Sequence, residues 1–104
     1  MSLKQNQKQV DEWISKYKLG YFKPLEGLAR LTEETGELAR EINHRWGPKK
    51  KKSTEDLKEM GDEIADVIFA LICLANSQHI NLDEAWDKMM EKLNTRDKER
   101  WEEK

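Results

Sequence analysis

Apolar residues recur at three- and four-residue spacing in four stretches of the chain, separated by polar, proline or glycine positions. Val10, Trp13, Ile14 and Tyr17 form the first stripe, which predicts a helix over about residues 3–18, stopped by Gly20. Pro24 suits the first turn of a second helix, where its missing N–H costs nothing. Leu25, Leu28, Leu31, Leu38 and Ile42 carry that helix to near Trp46, before Gly47 and Pro48. Ser53 or Thr54 is expected to cap a third helix, with Glu55 and Asp56 at its positive end, reaching about Ser77. Asn81, with Glu84 three residues later, resembles a capping box for a fourth helix through Trp86, Met89, Met90 and Leu93. No stretch alternates with a period of two, so no strand is expected. Short connections favour antiparallel neighbours. The expected fold class is all-α, a four-helix antiparallel bundle in one domain over residues 1–104.

Composition narrows the function classes. Charged residues are 38% of the 104, well above the average of about 25% for soluble proteins. The hydrophobic 37% is concentrated in the stripes, which separates this chain from disordered sequences of similar polarity. Nineteen basic against 21 acidic residues give a net charge of −2, which argues against a strongly basic nucleic-acid binder. Cys73 is the single cysteine, so an intrachain disulfide and a cysteine zinc site are both excluded. Its apolar surroundings read as core. The longest near-apolar run, Ile64 to Ala75, is twelve residues, too short to span a bilayer. Lys4-Gln5-Asn6-Gln7-Lys8-Gln9 does not read as a secretory signal, so a soluble cytoplasmic protein is expected.

The third helix carries the first chemical clue. Eleven of the twelve residues from Ile64 to Ala75 are apolar, and the exception is Asp66. A helix apolar on all sides is expected to be buried on all sides, and an unpaired carboxylate there is costly. Glu63 lies three residues before Asp66, on the same helix face. The second helix repeats the arrangement with Glu34 and Glu37, around Gly36. A glycine at that position would allow a backbone or ligand to approach closely. Brought together, the two helices can converge four carboxylates, an oxygen donor set suited to a hard divalent cation such as Mg²⁺. Solvated faces with ordinary ion pairs are the competing explanation for each pair taken alone.

The pattern Glu-Glu-x-x-Glu followed by Glu-x-x-Asp, here Glu33-Glu34-Thr35-Gly36-Glu37 and Glu63-Ile64-Ala65-Asp66, resembles that of the MazG-like all-α nucleoside triphosphate pyrophosphohydrolases. The similarity covers roughly residues 10–98, including Tyr21-Phe22-Lys23-Pro24-Leu25 and Gly61-Asp62-Glu63-Ile64-Ala65-Asp66-Val67. The resemblance implies Mg²⁺-dependent cleavage of a (d)NTP between the α- and β-phosphates, with Mn²⁺ as a substitute ion. It makes Glu34, Glu37, Glu63 and Asp66 the metal ligands. Glu33 would orient the attacking water or bind a further ion. Removal of non-canonical nucleotides is a role it permits. Lys92, Asn94 and Arg96 resemble a Lys-x-Asn-x-Arg stretch that contacts phosphates in some relatives. Their other reading is a solvated helix end.

Arg45 and the run Lys49 to Lys52 would attract an anionic substrate, or simply be solvated. Trp13, Trp46 and Tyr21 could stack on a base, although Trp13 also fits a core stripe. Trp86 and Trp101 are assigned to packing or an interface.

Two other classes remain open. One is a non-catalytic helical module that binds nucleotide or a protein partner. The other is a carboxylate-bridged di-iron bundle, for which Glu41-Ile42-Asn43-His44 offers one Glu-x-x-His unit. His79 has Asn76 three residues before it, so a second unit is missing. An all-apolar helix also needs more neighbours than three others supply. A homodimer or homotetramer is therefore expected to complete the bundle.

Overall fold

The computed structural model describes residues 2–48, 60–96 and 99–103. Four helices account for most of them: α1 (Leu3–Ile14), α2 (Pro24–Trp46), α3 (Met60–Ser77) and α4 (Leu82–Thr95). No strand occurs among the described residues. The predicted cap at Ser53 or Thr54 and the lysine run from Lys49 to Lys52 lie outside them.

The ends of the helices follow from local chemistry. Ser2 accepts from the amide of Gln5, and the Gln5 side chain accepts from the amide of Ser2, a reciprocal cap that satisfies two orphan donors. α1 stops at Ile14, about one turn before the predicted end. The amides of Lys16 and Tyr17 bond three residues back, to the carbonyls of Trp13 and Ile14, and Ser15 Oγ donates to the Asp11 carbonyl. These bonds tighten the chain out of the α-helix. Gly20, at φ +65°, then turns it toward α2. Pro24 occupies the first turn of α2, as expected. Asn81 Oδ1 accepts from the amides of Asp83 and Glu84 and caps α4.

α2 and α3 form an antiparallel pair. A Cβ on Gly27 would lie 3.6 Å from Leu74 Cδ1, while Glu34 and Glu37 meet Glu63 and Asp66 farther along. α1 lies antiparallel to α3 on another side, with Gln7 bonded to Asn76 and the Trp13 and Phe69 rings 6.0 Å apart, edge to face. α4 makes its main contact with α1. Its start is fixed by Lys4 N donating to Asp83 and by Leu82 N donating to Gln7.

Burial is shallower than the sequence pattern implies. Among the described residues only Ala70, Ile72 and Ala75 form a buried apolar core. Ile64, Ile68, Phe69 and Leu71 of α3 are 41–46% exposed, so the helix expected to be buried all round is half covered within one chain. Trp86, Met89, Met90 and Leu93 of α4 are exposed too. The accessible surface is 8894 Å², against about 6,100 Å² for a typical folded monomer of 12.3 kDa. No described helix is long and apolar enough to cross a membrane.

Candidate metal centre and adjoining pocket

The antiparallel register of α2 and α3 sets Glu34 and Glu37 opposite Glu63 and Asp66. Each of the four offers an oxygen, and these oxygens all lie within 4.8 Å of one another. Glu34 and Glu63 are each only 3% exposed, Asp66 is half-buried and Glu37 is exposed. Three-residue spacing puts each pair on one helix face, and helix packing converges the two faces.

This arrangement is electrostatically unfavourable without a cation. Burial is the main cause that pushes the Glu34 carboxyl above its ordinary range; Arg30 opposes the shift, while Glu37, Asp66 and Glu63 add to it. Arg30 Nη2 lies 2.7 Å from Glu34 Oε1, but Glu34 Oε2 is buried and accepts no hydrogen bond. A buried carboxylate oxygen with no donor, in a set of four carboxylates, is what a hard divalent ion would satisfy. The residues present therefore fit Mg²⁺ or Mn²⁺. No histidine belongs to the group, and it is the only such cluster among the described residues. Glu41, one end of the Glu-x-x-His unit, is buried on its own helix against Arg45, Nε to Oε1 3.0 Å. The donor chemistry thus fits a hard oxygen-seeking ion better than a histidine-ligated di-iron centre.

Glu33 stands beside the cluster but outside it. Its side chain is exposed and lies 3.5 Å from Arg30 Nη1. Gly36 has open space where a Cβ would stand, so none of the described residues makes the close approach that its glycine would allow.

An apolar pocket of about 320 Å³ adjoins the carboxylates, at the lower end of the range for small-molecule sites, about 300–1,000 Å³. Glu34, Asp66 and Arg30 stand in its lining, together with the aromatic side chains of Trp13, Tyr17, Tyr21, Phe22 and Phe69. The pocket lies where α1 and the α1–α2 segment meet α2 and α3. Trp13 and Tyr21, which the sequence offered as stacking residues, are both there. Tyr17, Phe22, Phe69 and Cys73 line it without having been singled out for binding. Their apolar spacing reads as core, and only the open packing between helices turns part of that core into a cavity. Burial pushes the Cys73 thiol up, which keeps it protonated and apolar in character.

Trp46, Lys92, Asn94 and Arg96 are exposed and do not line this pocket. Trp46 ends α2, and the other three lie at the end of α4. Lys49 lies outside the described residues.

The family model of the MazG nucleotide pyrophosphohydrolase domain matches residues 22–101. The protein YpjD of Bacillus subtilis (strain 168) is 60% identical over 100 residues, covering 96% of this chain and 90% of that protein. The crystal structure of YPJD from Bacillus subtilis superposes with a TM-score of 0.83 at 58% identity, over 91% of this chain and 97% of that one. A Bacillus-conserved MazG protein described as a nucleotide pyrophosphohydrolase superposes with a TM-score of 0.80 at 46% identity, over 95% and 96% of the two chains. Both paired-carboxylate motifs fall inside the matched residues. The chain belongs to the MazG nucleotide pyrophosphohydrolase family.

Proposed function

We propose that this protein is a Mg²⁺-dependent hydrolase that cleaves a nucleoside or deoxynucleoside triphosphate between the α- and β-phosphates. The products are the monophosphate and pyrophosphate, and clearing non-canonical nucleotides from the cytoplasm is the role we assign. The observation that carries this reading is the convergence of four carboxylates within 4.8 Å at one end of an aromatic pocket. Carboxylates alone would repel a triphosphate, so their use as a substrate site requires a divalent ion, with Mn²⁺ as a workable substitute.

Glu34, Glu37, Glu63 and Asp66 would hold the ion. A divalent ion held there would supply Lewis-acid polarisation of a phosphoryl group and a bound water of lowered pKa. Arg30 holds the Glu34 carboxylate through Oε1, and Oε2 is buried without a hydrogen bond. Glu33, on the solvent side of Arg30, is assigned to orienting the incoming water. The aromatic walls take the base by stacking, and their closure around it keeps bulk water from that end of the nucleotide. Lys92, Asn94 and Arg96 are assigned to the outer phosphates, and Trp46 and Lys49 to further substrate contacts. Since the described members of that set do not line the pocket, these contacts belong to an assembled homodimer or homotetramer. The exposed apolar faces of α3 and α4 support such an assembly.

The test is product analysis. The protein is incubated with Mg²⁺ and canonical and modified NTPs and dNTPs, with Glu63→Gln as control. Monophosphate and pyrophosphate are expected in equal amounts, lost in the variant and in chelator. Release of inorganic phosphate with a diphosphate would overturn the assigned cleavage position. Nucleotide binding without turnover would favour the non-catalytic module.

A further inference from the structure

We propose that Asp11 and Asn76 act as positioning residues for nucleotide binding, by clamping the hydroxyl of Tyr21 so that its ring forms a fixed wall of the pocket. The inference rests on reading that pocket as the nucleotide site.

Tyr21 sits in the segment between α1 and α2, directly after the left-handed turn at Gly20. A side chain on such a connection is ordinarily the least constrained wall of a cavity. Here its hydroxyl is held on both sides. It donates to Asp11 Oδ1 at 2.8 Å and accepts from Asn76 Nδ2 at 2.9 Å. Asn76 is itself fixed. Its Nδ2 also donates to the Gln7 carbonyl at 3.0 Å, and its Oδ1 accepts from Gln7 Nε2 at 2.8 Å. Gln7 Nε2 donates in addition to the Ile80 carbonyl at 2.7 Å. Both amide hydrogens of Asn76 and both of Gln7 are thereby used. The network ties α1, the Tyr21 segment, α3 and the start of α4 into one unit. Burial pushes the Tyr21 phenol up to about 12, so it remains a neutral donor throughout the working range.

The clamp is separate from the carboxylates. Asn76 lies ten residues beyond Asp66 on α3, about 15 Å along the helix. None of the clamp's hydrogen bonds involves α2, whose packing on α3 converges the four carboxylates. Loosening the clamp should therefore free the pocket wall without moving the metal centre. That predicts weaker binding of the nucleoside part with turnover at saturation retained.

The experiment compares wild type with Tyr21→Phe, which keeps the ring and removes the hydroxyl, and with Asp11→Ala and Asp11→Asn. Each is assayed with Mg²⁺ on the preferred NTP and on ribose 5-triphosphate, which lacks only the base. Tyr21→Phe and Asp11→Ala are expected to raise KM for the NTP about three- to tenfold, the worth of one or two hydrogen bonds, with kcat within about twofold. Asp11→Asn keeps an acceptor and should restore KM to near the wild-type value. KM for ribose 5-triphosphate should not rise.

An unchanged KM for the NTP in both Tyr21→Phe and Asp11→Ala overturns the proposal. So does an equal loss on both substrates, which would mark a purely structural role. If Tyr21→Phe fails to fold, the Asp11 pair decides alone. If wild type turns over no triphosphate, the same comparison is made by calorimetric titration with an α,β-methylene analogue. Equal Kd values then overturn the clamp, and no binding by wild type overturns the nucleotide reading together with it.

Discussion

Arg30 Nη2 approaches Glu34 Oε1 to 2.7 Å, while Glu34 Oε2 stays buried and unbonded. One carboxylate is thus half neutralised by an arginine and half left for something else. With burial as the main cause, the Glu34 pKa lies above the ordinary 4.5. The native state therefore holds this proton at pH values where the unfolded chain has released it. By linkage, this group makes the metal-free protein less stable as pH rises from the ordinary carboxylate range through the raised value. Thermal unfolding in chelator should show that loss in wild type, and Glu34→Gln should lack it. On the proposed function, Mg²⁺ should reverse the sign by binding the deprotonated form. At about a hundred times its Kd it should add about 2.7 kcal/mol of stability near neutral pH, and less in acid, where protons compete. A wild-type profile that parallels Glu34→Gln at every pH would refute the assignment.

Glu63→Gln should separate function from stability. Replacing Glu63 with glutamine removes one carboxylate, itself buried, from the set of four and keeps the side chain's shape. Turnover should fall at least about a hundredfold, since a divalent ion in the proposed role would contribute several kcal/mol to the transition state. The metal-free variant should nevertheless be more stable than wild type, because like-charge repulsion is relieved. A gain of about 1 kcal/mol would raise Tm by about 4–8 °C in a domain of this size. Melting curves in chelator, set beside single-turnover rates, give both readings. A variant with wild-type rate and lower Tm would remove Glu63 from the site.

Ile64, Ile68 and Leu71 share one stripe of α3 at four- and three-residue spacing and are each 42–46% exposed. If this stripe is covered by a second copy, Ile68→Glu introduces a charge that the interface cannot hydrate. Light scattering at micromolar concentration should show wild type as a dimer or tetramer and Ile68→Glu shifted to monomer. A wild-type monomer mass would leave the stripe unexplained and remove the assembly from the phosphate assignment.

Helix existence was legible because the apolar stripes are long and their breakers unambiguous: Pro24 opens α2, Asn81 caps α4 and Gly47 follows the end of α2. The end of α1 was not legible. Tyr17 continues the apolar spacing, yet its amide turns back to Ile14 and its ring packs on Trp13 at 5.1 Å, so the stripe outlasts the helix. The reciprocal cap at Ser2 and Gln5 corresponds to a Ser-x-x-Gln spacing that is present in the sequence. The exposed flank of α3 reads as buried from the sequence alone, because hydropathy reports that a face needs cover and is silent on which chain supplies it.

The four carboxylates were legible as two pairs, since three-residue spacing on a helix is a local property. Their convergence within 4.8 Å belongs to the register between α2 and α3, which no local pattern encodes. The aromatic pocket is a tertiary property in the same way. Trp13, Tyr21 and Phe69 come from different segments, and the sequence could mark each as apolar without saying that space remains among them. The amino-acid order by itself determined the all-α class, the helix stripes and the acidic pairs, because these follow from backbone propensity and the 3.6-residue period. Arg30 and Glu34, four residues apart on α2, are a local pair of the same kind. Only the packing of the helices decided which carboxylate oxygen was buried without a donor and which aromatic residues became walls, because those outcomes depend on distances between residues far apart in the chain.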